Sequence, residues 1–209
     1  MGQDLSATRA NAIQAKKNVE QKFRGISDNI TSKFKDFDSK MSLAMTGPQP
    51  SANLTKMAAN VNAIYTTGNL CNYFEDLAKK AVAGFNSMAA NVGAGTVGAD
   101  IDTSYTTVSH DGGKDTEKLE IRHEYAHDAI QALSALIKSV SEYANTGIGV
   151  NIEGAEDIDT NAVSNLRSNT ETLNSNFSEM AKMMQQYFTQ LSEADSKQLK
   201  AIADSLLQK

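Results

Sequence analysis

Residues 12–50 read AIQAKKNVEQKFRGISDNITSKFKDFDSKMSLAMTGPQP. Apolar side chains recur at Ala12, Ala15, Val19, Phe23, Ile26, Ile30, Phe34, Phe37, Met41 and Ala44, in steps of three and four. That spacing keeps them on one stripe of a helix, while Lys16, Lys17, Glu20, Asp28 and Lys35 fall outside it. The repeat lies close to 3.5 residues, so the stripe is a narrow, coiled-coil-like seam. A first helix is expected over Leu5–Met45, weakened but not ended at Gly25. Thr46-Gly47-Pro48-Gln49-Pro50 ends it, since glycine closes a helix and proline cannot continue one.

Outward from that turn, Ser51 is positioned to cap a second helix to about Val92. Its stripe is Leu54, Met57, Val61, Ile64, Gly68, Cys71, Phe74, Ala78, Ala81, Phe85 and Met88. Two such helices form an antiparallel hairpin about 60 Å long, at ~1.5 Å per residue. Residues 93–114 break the pattern with a glycine-rich polar stretch that has some strand character around Tyr105–Val108. A third helix is expected over Asp115–Ala144, with Leu119, His123, Ala126, Ile130, Leu133, Ile137, Val140 and Tyr143 on one side. After the loop Thr146–Gly154, which alternates Ile148, Val150 and Ile152, Asp159 or Thr160 caps a last helix. Its seam is Val163, Leu166, Thr170, Leu173, Phe177, Met180, Met184, Tyr187 and Leu191, continued by Leu199, Ile202 and Leu206. The fold class is therefore all-α. The expectation is an elongated four-helix bundle of two long hairpins, residues 1–92 and 115–209, joined by the 93–114 loop and packed as one unit.

Composition narrows the function classes. The net charge of -5 argues against nucleic-acid binding, because phosphate neutralisation needs clustered Lys and Arg. The densest basic stretch, Lys33–Lys40, is interrupted by Asp36 and Asp38. One cysteine, Cys71, excludes an internal disulfide, and its place in the seam marks it as a buried structural thiol. No run approaches the ~20 apolar residues of a transmembrane helix. The first residues lack a basic region followed by an apolar run, so the chain is expected to be cytoplasmic or secreted without a signal peptide.

All three histidines lie within one short stretch: His110, His123 and His127. His123-Glu124-Tyr125-Ala126-His127 has HExxH spacing. On a helix this sets two imidazoles on one face to bind zinc, with Glu124 as general base, and His110 could fold back as a third ligand. Glu120 and Glu124 also give two overlapping ExxH pairs, the ligand spacing of di-iron bundles. A third reading makes these residues a solvated polar face, with the acidic side chains favoured near a helix start.

The long hairpin with a sharp mid-turn, the small-residue seam and the acidic balance resemble the WXG100 family of helical hairpins exported by type VII secretion. More loosely, the whole chain resembles the helical export domain of LXG-type effectors. Gly47-Pro48-Gln49-Pro50 stands at the turn, and the chain has no Trp. Filament and needle-tip proteins of type III secretion are similar in having terminal seamed helices around a variable middle. The resemblance implies a non-enzymatic, exported or assembly-forming protein that pairs helix with helix. The seam residues Phe23, Ile30, Phe37, Phe177 and Met184 would then meet a protein partner or a second copy. The rival expectation is a metal-binding protein or zinc-dependent hydrolase using His123, Glu124 and His127.

Overall fold

The computed structural model describes residues 5–110, 117–145 and 160–188, together with 197, 200 and 201; at 142–145 and 160–163 the backbone alone is described. Five α-helices occupy most of these residues: α1 (Leu5–Ala44), α2 (Pro48–Tyr65), α3 (Leu70–Asn91), α4 (Ala126–Asn145) and α5 (Thr160–Phe188). The chain is an all-α helical bundle. Two two-residue strands, β1 (Met45–Thr46) and β2 (Glu120–Ile121), pair antiparallel, with Met45 opposite Ile121 and Thr46 opposite Glu120.

α1 follows the expected bounds almost to the residue. The second rod does not: it is two helices, broken at Thr66–Asn69. Thr66 Oγ1 and Asn69 Nδ2 both donate to the Ala63 carbonyl, at 3.0 and 2.6 Å, and so satisfy the last turn of α2. Gly68 sits at φ 93°, a backbone state that side chains resist. α2 also starts earlier than Ser51, because both prolines fit its first turn, where no amide donor is needed. Before it, Gly47 has φ 141°, and a Cβ there would stand 3.0 Å from the Leu119 Cα. Glycine lets the segment entering β2 lie directly on the turn, and the Arg122 amide then donates to the Ala44 carbonyl at 2.8 Å.

The third helix is shorter than expected. It begins at Ala126, not Asp115, because Glu120–Ile121 is drawn into the strand pair and His123–Tyr125 forms a single 3₁₀ turn. Leu119 and His123 therefore lie outside its helical stripe. α5 starts at Thr160, as the sequence indicates. The alternation at Ile148, Val150 and Ile152, and the seam residues Leu191, Leu199, Ile202 and Leu206, lie outside the described residues.

Direction follows from the cross-contacts. Phe23 meets Phe74 edge to face at 5.5 Å, and the earlier Ala12 clusters with the later Val82, Phe85 and Ala89, so α3 runs back along α1. Gln49 and Asn53 of α2 reach Tyr187 and Met183, and Gly68 meets Asn165, so α5 runs antiparallel to α2. α4 starts beside the end of α1 and descends alongside it. One hydrophobic cluster draws on all five helices, from Val19 to Met45, Leu54 to Ala78, Ala126 to Val140 and Leu173 to Phe188. Burial of this kind contributes ~1.5–3 kcal/mol per large apolar side chain. A second, smaller cluster at the far end holds Ala12, Val82, Phe85, Ala89 and Val97. Among the described residues, no helix is long and apolar enough to cross a membrane.

Candidate functional site: a groove that holds an extended segment

The HExxH residues do not share a regular helix face. His123 and Glu124 sit in the 3₁₀ turn and His127 in the first turn of α4, and all three are exposed. The His123 ring lies edge-on to Phe188 at 6.1 Å, and His127 Nε2 is 3.1 Å from Gln131 Nε2. His110 turns instead to α1, its Nδ1 2.6 Å from Asp38 Oδ1, with its side chain only 5% exposed. Among the described residues, no three His, Cys, Asp or Glu side chains gather so as to hold a metal ion. The donors expected for zinc are thus spread over partners of other kinds.

The seam residues nominated for a partner are also placed. Phe23, Ile30, Phe37, Phe177 and Met184 are each at most 1% exposed, packed on other helices of the same chain. Narrow stripes on several rods meet one another first, because the intramolecular partner is always present.

The most structured departure from the sequence reading is the stretch expected as a polar loop. From Gly93 the chain reverses, with the Ala94 amide donating to the Ala89 carbonyl at 2.8 Å. Residues 94–110 then run back as an extended strap between α1 and the α2–α3 rod. An extended segment on helices has no neighbouring strand to take its backbone donors and acceptors. Two asparagines supply that need. Asn86 Nδ2 donates to the Val97 carbonyl at 2.9 Å, and the Val97 amide donates to Asn86 Oδ1 at 2.8 Å. Asn62 does the same to Val108, at 2.7 and 2.8 Å. Each side-chain amide stands where a β-ladder partner would.

The spacing of these clamps is dictated by geometry. Twenty-four residues, helical except at the break 66–69, separate Asn62 from Asn86, about 36 Å at ~1.5 Å per residue. Eleven residues separate Val97 from Val108, also about 36 Å at ~3.3 Å per extended residue. The strap therefore matches the rod only if it is stretched out.

Side chains complete the grip. Val97, Ala99, Ile101, Thr103 and Tyr105 face inward, alternating with outward Gly98, Asp100, Asp102 and Ser104. Thr106 and Thr107 both face out, and Val108 resumes the inward set. Tyr105 packs on Tyr65 with ring centroids 5.0 Å apart. Across the groove, α1 offers Lys16 to the Gly98 carbonyl at 3.1 Å, Glu20 to the Asp102 amide at 3.2 Å, and Arg24 to the Asp102 carboxylate. Thr31 Oγ1 donates to the Thr106 carbonyl at 3.4 Å.

Two titratable groups record the strap's presence. Burial pushes the Cys71 thiol up from its ordinary value; its Sγ contacts the Tyr65 carbonyl and lies 3.8 Å from the Thr103 carbonyl. A thiol so placed is a poor nucleophile. Asp102 is held below the usual carboxylate range, first by hydrogen bonds from the Ser104 hydroxyl and amide and then by Arg24.

Sequence signals for this groove exist. The odd positions 97–105 alternate with polar residues at a period of two, as in a half-buried strand. Asn62 and Asn86 each stand next to a seam residue, Val61 and Phe85, inside helices where asparagine is a poor former. What the spacing of a lone strand could not supply was the identity of its partner. Compared with protein-family models, curated proteins and solved structures, the chain has no match in any of the three.

Proposed function

We propose that this chain is a non-enzymatic helical interaction protein, a component of an assembly or an exported substrate of the kind the hairpin resemblance implies. The observation that carries the reading is the groove between α1 and α2–α3, which grips an extended polypeptide through its main chain at two points. Such a grip is the chemistry of polypeptide recognition, in which backbone bonds give affinity and alternate side-chain pockets give selectivity. Pairing with another helix would use faces outside the buried seams, where Leu43 and Leu119 stand exposed beside the α1–α2 turn.

Light scattering on the sizing peak, with chemical cross-linking over a range of concentrations, tests assembly. Association or capture of a defined partner is expected; a chain that stays monomeric and partnerless throughout would overturn the reading. Metal analysis of the same material tests the non-enzymatic part. The expectation is no stoichiometric zinc, and one zinc per chain lost in His123→Ala would replace this proposal with the hydrolase.

A further inference from the structure

We propose that the groove between α1 and the α2–α3 rod is a binding site for an extended peptide supplied in trans, and that residues 94–110 occupy it in cis. The ligand class is read from the strap: a valine, an acidic residue five positions on, an aromatic residue three further, and a second valine three beyond that, as in Val97, Asp102, Tyr105 and Val108. The proposal rests on the interaction reading above and gives it a site and a ligand.

Three observations carry it. First, both clamps address main chain alone, since Asn62 and Asn86 each take the N–H and C=O of one residue and leave its side chain free. Any extended segment presents the same pair of groups. Second, the walls stand on contacts of their own. Phe23 against Phe74 joins α1 to α3, and Tyr65 on α2 hydrogen-bonds to Thr31 and the Ser27 carbonyl on α1, each at 3.2 Å. Removing the strap uncovers the groove without removing what spaces its two sides. Third, the selective contacts form a linear code. Lys16 and Arg24 meet a carbonyl and a carboxylate, the Tyr65 ring meets an aromatic, and small apolar sites take the valines at 8% and 4% exposure. The outward half of the strap, Gly98, Asp100, Ser104, Thr106, Thr107 and Ser109, is exposed.

A tethered segment competes at a high effective concentration, so a free peptide gains the groove once the cis strap is weakened. The test uses a fluorescein-labelled peptide of residues 94–110 and the full chain carrying Val97→Asp and Val108→Asp together. These changes put charges into the apolar sites and leave both asparagines in place. With helicity by circular dichroism unchanged, the double variant is expected to bind the peptide saturably, at least tenfold tighter than the unmodified chain. Adding Asn62→Ala or Asn86→Ala is expected to weaken that binding about tenfold, the loss of two hydrogen bonds. A helical double variant that binds no peptide overturns the proposal.

A second measurement needs no variant. The same peptide with a benzophenone at the Tyr105 position is irradiated in large excess with the unmodified chain, so that it competes with the tethered strap, and the adduct is mapped. Cross-linking at Tyr65 or Thr31, suppressed by unlabelled peptide, supports the site; no such adduct, together with loss of helix in the double variant, makes the strap a fixed wall and overturns it. Light scattering answers the broader interaction reading separately, whichever way the peptide behaves.

Discussion

The two ends of the molecule solve one problem differently. Near the α1–α2 turn, four rods surround a core of large side chains, including Phe34, Phe37, Met41, Phe177, Met184 and Phe188. At the far end only α1 and α3 continue among the described helices, and the seam shrinks to Ala12, Val82, Phe85 and Ala89, closed by Val97 of the strap. A helix brings a wide apolar face with its backbone bonds already made inside it. An extended strap is thinner and brings unmet backbone groups, so the helices beneath must carry polar side chains aimed at it. Asn86 is the consequence there, and Asn62 repeats the device where the strap lies on the main core beside Val108. The difference teaches that where a groove is too narrow for a rod, polar residues appear in the seam itself and their partner is main chain.

That contrast breaks most severely at the four-rod end. Phe177→Ala is expected to cost about 3–5 kcal/mol, because the ring is fully buried among several helices and its removal leaves a cavity. Urea unfolding followed by circular dichroism should show one cooperative transition moved to lower denaturant. A cost under about 1 kcal/mol would mean that α5 is not part of the cooperative core. Gly47→Ala attacks the clip at the same end. The position combines φ 141° with backbone at 3.0 Å from a new Cβ, and a loss of about 1–3 kcal/mol is expected in the same assay. If alanine is neutral there, the approach of Leu119 to the turn is not fixed in solution.

How far the fold could be read follows from these two positions. Phe177 lies in a stripe of period near 3.5, and periodicity of that kind declares a helix and its buried face without any knowledge of the partner. The end of α1 and the start of α5 were legible from other signals, the Gly47-Pro48 turn and the cap at Asp159 or Thr160. Gly47 was legible as a terminator, yet not as the floor on which β2 lies, since that depends on a segment more than seventy residues away. The break at Thr66–Asn69 was hidden because Ile64, Gly68 and Cys71 keep the seam spacing across it, and the capping by Asn69 is a three-dimensional event. The start of the third helix was placed too early for a related reason: pairing of Glu120–Ile121 with Met45–Thr46 overrides a local pattern that suits a helix. The HExxH spacing was plain, but spacing presumes a regular helix under it, and the 3₁₀ turn at His123–Tyr125 removes that premise.

Along the strap the expected effects are local. Asn62→Ala removes two hydrogen bonds and leaves the Val108 amide and carbonyl without them, a loss of about 1–3 kcal/mol. Because the strap lies over Cys71, its opening can be followed by thiol reactivity toward an aromatic disulfide reagent at neutral pH. Labelling is expected to speed up about tenfold or more while helicity stays unchanged. Labelling that accelerates only when the whole chain unfolds would show that strap and bundle form one cooperative unit, and the contrast between the two ends would then be one of shape alone.

The smallest effect concerns acid. Asp102 has its carboxylate favoured by the Ser104 hydroxyl and amide and by Arg24, so its value in the folded chain lies below the ordinary one of about 3.9. A group depressed on folding contributes stability that is present above the unfolded value and is lost as the pH falls through the folded one. Hydrogen exchange in the strap, corrected for the intrinsic rate, is therefore expected to be unchanged between pH 7 and 5 and to lose protection below about pH 4. The buried helices of the four-rod end should stay protected over the same range. Glu20, which accepts the Asp102 amide, and Asp38, which meets His110, are the other carboxylates that face the strap. Asp102→Asn separates them, because it retains an acceptor for Ser104 while removing the charge beside Arg24. If the acid response is flattened in that variant, Asp102 carries it; if the response is the same with asparagine, Asp102 does not carry it. The Arg24–Asp102 pair is exposed and is weakened by salt, so raising ionic strength at pH 6 should reproduce part of the loss.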